Sequence, residues 1–200
     1  MADAGVPGRS AQEPHEPTPA ELAAREDRRK LRVRGLITLL KDPNLNYRWH
    51  AAELLGGERD PEAVVPLIDA LKDPFVDVQW LAAKSLGQIG DARALVPLLE
   101  ATMSDEKWLR AGAAWGLGKL KDSRAVERLL VLLKDKKVLV RREAAGALGS
   151  IADNRAVTGL TEALNDPDES VRDAAKKALA SIQGAPVGLG EGPATETPAQ

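Results

Sequence analysis

Val140-Arg141-Arg142-Glu143-Ala144-Ala145-Gly146-Ala147-Leu148-Gly149-Ser150-Ile151 is followed, 31 residues later, by Val171-Arg172-Asp173-Ala174-Ala175-Lys176-Lys177-Ala178-Leu179-Ala180-Ser181-Ile182. In both stretches the apolar residues recur at spacings of three and four, which places them on one buried stripe of a helix. The same interval runs outward through the chain. Leu55, Leu86, Leu117, Leu148 and Leu179 form one column, and Asp60, Asp91, Asp122 and Asp153 form another. Repetition at such a period identifies a stack of like helical units, each burying its face on its neighbours, so an all-α solenoid is expected.

Within one unit, Asp91-Ala92-Arg93-Ala94-Leu95-Val96-Pro97-Leu98-Leu99 reads as an Asp cap followed by an amphipathic helix, helix A. Pro66 and Pro97 fall inside helix A and are predicted to kink or break it in those two units. A turn follows at Lys72-Asp73-Pro74, repeated as Lys41-Asp42-Pro43 and Asn165-Asp166-Pro167, and helix B then runs from about Val76 to Ile89. Its buried stripe is headed by Tyr47, Ala51, Ala52, Leu55 and Glu58. It continues as Val78, Ala82, Ala83, Leu86 and Ile89, then as Leu109, Ala113, Ala114, Leu117 and Leu120. The glycine column Gly56, Gly87, Gly118 and Gly149 points to close helix approach.

Residues 1–17 carry Pro7, Pro14 and Pro17 among small and acidic residues, and a disordered tail is expected there. Thr18-Pro19-Ala20-Glu21 then has the residues of a capping box with proline at the first helical position. Residues 184–200 are rich in Gly and Pro, so a second disordered tail is expected, leaving 18–183 for the solenoid. Lys176 stands in the column of Ala52, Ala83, Ala114 and Ala145, while Arg32 and Arg34 stand where Ala63 and Val65 would stack on a preceding unit. Both read as polar caps closing the stack.

The chain of 200 residues is 44% hydrophobic and 29% charged, with one Tyr, one Phe and no Cys. The missing cysteine excludes disulfides, thiolate nucleophiles and Cys-ligated metals. A net charge of −2 supplies no global attraction to nucleic acid or an anionic membrane. No apolar run reaches membrane-spanning length and no signal-peptide core is present, so a cytoplasmic location is expected.

The Asp-capped helix A, the Asp-Pro turn and the Val-x-x-x-Ala-Ala-x-x-Leu-Gly-x-Ile pattern of Val140 to Ile151 resemble the HEAT-like repeats named after phycobilisome lyases. The resemblance covers roughly residues 29 to 183. It implies a right-handed α-solenoid of about five two-helix HEAT-like repeats, with helix B lining the concave surface. It also implies that the arginines of one column, Arg48, Arg110, Arg141 and Arg172, interrupted by Gln79, pair with the Asp column between units rather than with phosphates.

On helix B, the columns headed by Asn46, Trp49, His50, Glu53 and Gly57 share the face left over from the buried stripe. All four tryptophans lie there: Trp49 and Trp80 in one column, Trp108 and Trp115 two turns apart on the third helix B. Large aromatics on an exposed face mark interaction sites, because Trp is enriched among binding hot spots. The bland alternative is that the rings lie across helix seams and bind nothing. The charged residues of this face are Glu53, Asp77, Lys84, Lys119, Arg142, Glu143, Asp173 and Lys177, four of each sign. That balance is poor for phosphates and suits a protein or peptide segment. The expected partner-binding residues are therefore Trp49, His50, Glu53, Trp80, Lys84, Trp108, Trp115, Lys119 and Arg142, on a monomer without a cofactor.

Some proteins of the HEAT-like kind that this sequence resembles are iron-dependent hydroxylases of deoxyhypusine, which carry His-Glu pairs on successive helices. No such pair occurs in the repeats here, so that iron site is not supported. A bilin lyase or other tetrapyrrole-handling activity is permitted by the resemblance and is the runner-up to a scaffold role. A HEAT-like DNA glycosylase, to which Trp80 near Asp77 invites comparison, is weakened by the absent basic stripe. Asn46, His50 and Glu53 are spaced to hydrogen-bond along one helix face, but no nucleophile or pocket accompanies them, and no catalytic residue is assigned.

Overall fold

The structure, a computed structural model, describes residues 17–184. Among them are ten α-helices, four short 3-10 turns and no strand: α1 (Pro19–Leu39), α2 (Leu45–Glu58), α3 (Val64–Ala70), α4 (Val76–Ile89), α5 (Leu95–Ala101), α6 (Lys107–Leu120), α7 (Val126–Leu132), α8 (Val138–Ile151), α9 (Val157–Ala163) and α10 (Glu169–Gly184). Even-numbered helices are the helix B elements. Both expected tails lie almost wholly outside the described residues. The α-solenoid is the observed architecture.

Each unit is started by chemistry the repeat supplies. Thr18 and Glu21 form the reciprocal capping box, with Thr18 N–H donating to Glu21 Oε2 at 2.8 Å and Glu21 N–H to Thr18 Oγ1 at 3.3 Å. Asp60, Asp91, Asp122 and Asp153 each accept the backbone N–H two residues on at 2.9 Å. That bond folds one 3-10 turn, which then opens into a short α-helix. The helix A break is therefore not made by proline. Pro66 and Pro97 fall in the first turn of α3 and α5, where a backbone N–H has no partner within the helix, and α7 and α9 break at the same place without a proline. Helix B ends on a left-handed residue, Arg59, Gly90, Lys121 or Ala152, one step before the capping Asp.

The leucine columns are fully buried: Leu55, Leu86, Leu117 and Leu148 from helix B, and Leu67, Leu98, Leu129 and Leu160 from helix A. Tyr47 departs from the expected stripe and is exposed, and Glu58 is half-buried. Among the described residues no helix B precedes α2, so the phenol stays in water and Glu58 instead takes a bidentate pair from Arg32 at 2.6 and 2.9 Å. Arg34, exposed, lies 3.6 Å from Glu62, and Lys176 is exposed at the far end, as caps require.

Successive helices B pack backbone to backbone. A Cβ on Gly87 would lie 2.5 Å from Gly116 Cα, and one on Gly118 2.7 Å from Ala147 Cα. Helix A segments pack mainly on the helix B of their own unit, and their backbones stand farther from one another than those of successive helices B, meeting through side chains such as Leu130 against Gly159. The more closely spaced layer is the shorter side of the stack, so helix B forms the inner, concave face.

A buried ion-pair ladder ties the units. Arg48 Nε donates to Asp73 at 2.7 Å, Arg110 to Asp135 at 2.8 Å and Arg141 to Asp166 at 2.7 Å. The acids are those of the interhelical turns of the next unit, 25 residues on, not the capping column. The difference follows from position: the arginine sits in the first turn of helix B, level with the neighbouring turn. The Arg141 guanidinium holds the Asp166 carboxyl below the usual carboxylate range. Arg172, which has no following unit among the described residues, donates to the carbonyls of Asp166 and Pro167.

Candidate functional site

Trp80 and Lys84 stand one turn apart on α4. On α6 the residues Trp108, Ala111, Trp115 and Lys119 recur at helical spacing, and α8 contributes Leu139, Arg142 and Glu143. Because the three helices are adjacent in the inner layer, these side chains converge. Trp80, Lys84, Trp108, Ala111, Trp115, Leu139, Arg142 and Glu143 line a cavity of about 240 Å³. A second of about 220 Å³ adjoins it, lined by Trp115, Lys119, Glu143, Gly146, Ala147 and Ser150.

The rings are placed by packing. Trp80 and Trp108 meet edge to face, with centroids 6.5 Å apart and planes at 72°. The Trp80 ring lies in a notch left by Gly112, where a Cβ would come within 2.8 Å of its Cδ1. Trp80 packs against the core, whereas Trp108 keeps 43% of its surface in solvent. Trp80 thus seals part of the α4–α6 seam, while the Trp108 ring stands open to solvent beside it.

Cations lie on the indoles. Lys84 Nζ is 4.5 Å from the Trp80 centroid and 5.3 Å from that of Trp115. Lys119 Nζ is 5.0 Å from Trp115, and Lys107 Nζ is 5.2 Å from Trp108. The quadrupole of each ring attracts the ammonium above its face. Arg142 donates to Glu143 at 2.9 Å, so the one carboxylate lining the cavity is already engaged.

Of the nine residues expected to bind a partner, Trp80, Lys84, Trp108, Trp115 and Arg142 share the first cavity and Lys119 the second. Trp49, His50 and Glu53 lie one unit away on α2 and do not line either. Trp49 is half-buried and meets the His50 ring edge-on, with centroids 4.8 Å apart. Among the described residues no hydrogen bond joins His50 to Asn46 or Glu53. Gly112, Leu139 and Lys107 were not singled out in the sequence. Gly112 had a signal, being the one glycine in the column His50, Leu81, Gly112 and Glu143 that the sequence puts on the groove face; the structure buries Leu81 and Gly112 there, and a side chain at 112 would stand against Trp80.

Larger hollows occur on the outer layer, one of about 450 Å³ between α7 and α9 and one of about 380 Å³ lined by Ile68, Pro97 and Met103. Neither is lined by an aromatic residue; the first mixes Leu130 and Leu133 with Lys134, Arg155, Glu162 and Asp166, of which Lys134 and Glu162 pair with each other at 3.3 Å, and the second is mainly aliphatic. Among the described residues no group of three His, Asp or Glu side chains is placed to hold a metal ion, and no helix is long and apolar enough to cross a membrane.

The chain belongs to the HEAT-repeat family: a family model described as HEAT repeats matches residues 33–109 and 95–180. Its repeats are of the phycobilisome-lyase HEAT-like type that their motif implies. Among solved structures it is similar to the complex of CpcE and CpcF of phycocyanin lyase from Nostoc sp. PCC7120, at 25% identity over 90% of this chain and 70% of that one, with a TM-score of 0.67. An engineered protein shares 24% identity over 82% of this chain and 83% of its own, with a TM-score of 0.59. A designed armadillo repeat protein in complex with the peptide (KR)4 shares 21% identity over 74% and 80%, with a TM-score of 0.57. No curated protein matches the sequence.

Proposed function

We propose that this protein is a binding or scaffold module whose concave helix B face holds a segment of another polypeptide, anchored in the cavity between α4, α6 and α8. The observation that carries this reading is the convergence of three tryptophans from two helices on one open cavity, in a chain with a single Phe and a single Tyr. An indole left 43% exposed beside a cavity of side-chain size is the arrangement that binding hot spots use. Trp49, His50 and Glu53 extend the same face toward the first unit as a flank of the groove. Likeness to a complex of two phycocyanin lyase subunits and to a peptide-bound designed solenoid supports the reading at the level of fold.

Tetrapyrrole handling is the second reading, favoured by the likeness to phycocyanin lyase. Against it, the two adjoining cavities, about 240 and 220 Å³, are each smaller than the roughly 300–1,000 Å³ of sites that enclose a drug-sized ligand. Each fits a side chain better than an open-chain tetrapyrrole.

The test is affinity capture from source-cell lysate by wild type, by a Trp80→Ala, Trp108→Ala, Trp115→Ala variant and by Trp49→Ala, each checked by circular dichroism. A polypeptide held by wild type and by Trp49→Ala but lost from the triple variant is the expected result. Equal capture by a folded triple variant refutes the site. A shift in the absorbance of an added bilin, without polypeptide capture, transfers the assignment to the second reading.

A further inference from the structure

The lysines around the tryptophan cavity rest on aromatic faces rather than on carboxylates, unlike the cations that tie the units together. Arg29, Lys30, Arg32, Arg48, Arg110, Arg141 and Arg155 all sit within ion-pair distance of a carboxylate. Lys84 and Lys119, which line the first and second cavity, have no such partner among the described residues, and their ammonium groups rest on the faces of Trp80 and Trp115. Arg142 adds a third cation, and the single opposing carboxylate, Glu143, is bonded to it. The rim is thus cationic around an apolar floor, on a chain whose net charge is −2. The four-to-four balance of the whole helix B face conceals this, because the acids Glu53, Asp77 and Asp173 lie away from the cavity lining.

We infer that the segment bound here is acidic: an apolar side chain of the partner enters between Trp80, Trp108 and Trp115, and flanking carboxylates take Lys84 and Lys119 as ion-pair partners. The inference rests on the reading of this face as a polypeptide-binding groove. Single-stranded nucleic acid also combines stacking with cations. It is disfavoured because the cationic zone spans only three helices, and the same face carries Glu53 and Asp173 on either side of it, where a continuing phosphate backbone would have to run.

The experiment uses the full chain and follows tryptophan fluorescence during titration with a four-fold repeat of Asp-Leu-Glu, its neutral counterpart of Asn-Leu-Gln and a thymidine oligonucleotide. The acidic peptide is expected to bind about tenfold or more tightly than the neutral one, to weaken as salt is raised, and to lose that advantage in a Lys84→Gln, Lys119→Gln variant of unchanged circular dichroism. If the variant does not fold, the salt dependence of wild type decides. Equal binding of the neutral and acidic peptides overturns the acidic assignment and leaves the groove reading standing. Failure of both peptides also overturns it, and the lysate capture then decides separately whether the groove binds any polypeptide. Tighter binding of the oligonucleotide overturns it in favour of nucleic acid.

Discussion

The ion-pair ladder has one gap, and filling it is a quantitative test of what the ladder contributes. At the junction of α4 and α6 the arginine position holds Gln79 and the turn aspartate position holds Ser104, so both members of the pair are absent together. Gln79 Nε2 donates to the Asp73 carbonyl at 2.6 Å, as the arginines do to their own turns, but its Oε1 is buried without a hydrogen-bond partner. Ser104 Oγ accepts the N–H of Glu106 at 3.1 Å, the role the aspartates fill elsewhere, so Ser104→Asp preserves the turn. In the three intact junctions two guanidinium N–H groups reach the carboxylate, at 2.7 and 3.3, 2.8 and 3.0, and 2.7 and 2.8 Å. Charge-assisted bonds contribute roughly 1.5–3 kcal/mol each before the ions lose their hydration, so a net coupling of about 2–4 kcal/mol is expected. Gln79→Arg alone buries a charge opposite a hydroxyl, and Ser104→Asp alone buries one opposite an amide. Each single variant should therefore lose about 1–3 kcal/mol, while the double variant regains wild-type stability or exceeds it. Urea unfolding followed by circular dichroism on the four proteins measures the cycle. Additivity within about 0.5 kcal/mol would refute the ladder as an energetic link between units.

Acid should weaken the stack through the caps. Asp91 is lowered from 3.8 to about 2 by the Arg93 guanidinium and backbone N–H, so its contribution is present above pH 3.8 and lost as pH falls through about 2. Melting temperatures between pH 6 and pH 2 should fall mainly in that window, and Asp91→Asn should fall less; identical curves refute the cap argument. Ala152 holds a left-handed φ of 58°, so Ala152→Gly should relieve strain of about 1 kcal/mol, partly offset by glycine's freedom in the unfolded chain. Gly90→Ala, at φ 77°, should do the reverse, and a stability change of the same sign in both variants would contradict this. Gly112→Ala should push the Trp80 ring from its notch and weaken partner binding with helicity kept; an unchanged near-ultraviolet dichroism spectrum would show the notch has no such role.

The fold was legible because each unit repeats both its caps and its stripe. The Asp cap, the boundaries of α4 and the leucine columns are local chemistry that thirty-one-residue repetition amplifies. What local reading missed depended on the third dimension. Proline looked sufficient to break helix A, yet the break belongs to the 3-10 turn that the capping aspartate folds. The arginine ladder was visible as a column, but its partners could be identified only once neighbouring turns were seen beside the first turn of helix B. At the candidate site, helical periodicity put all four tryptophans on one face. It could not show that Trp49 stands apart while Trp80, Trp108 and Trp115 enclose a cavity, because that depends on how closely Gly112 and Gly116 let α6 approach α4.

The gap in the ladder and the aromatic cavity fall at the same junction, and this has a consequence for binding. Gln79 directly precedes Trp80, and Ser104 lies in the turn that leads into Trp108. Where the other helices B are fastened by a buried ion pair at their N-terminal ends, α4 and α6 rely on the Gly87–Gly116 approach and on Trp80 seated over Gly112. A polypeptide anchored in the cavity touches α4, α6 and α8 at once, and so adds contacts at the junction with fewest polar ties. In a stack whose stability is a sum of units and interfaces, a ligand protects most where it bridges the weakest interface. Hydrogen exchange with and without a bound segment should therefore show its largest gain in protection on α4 and α6, with α2 and α10 little changed. Uniform protection of all five helices B would mean that the junction is no weaker than its neighbours, and a gain centred on α2 would move the site to Trp49.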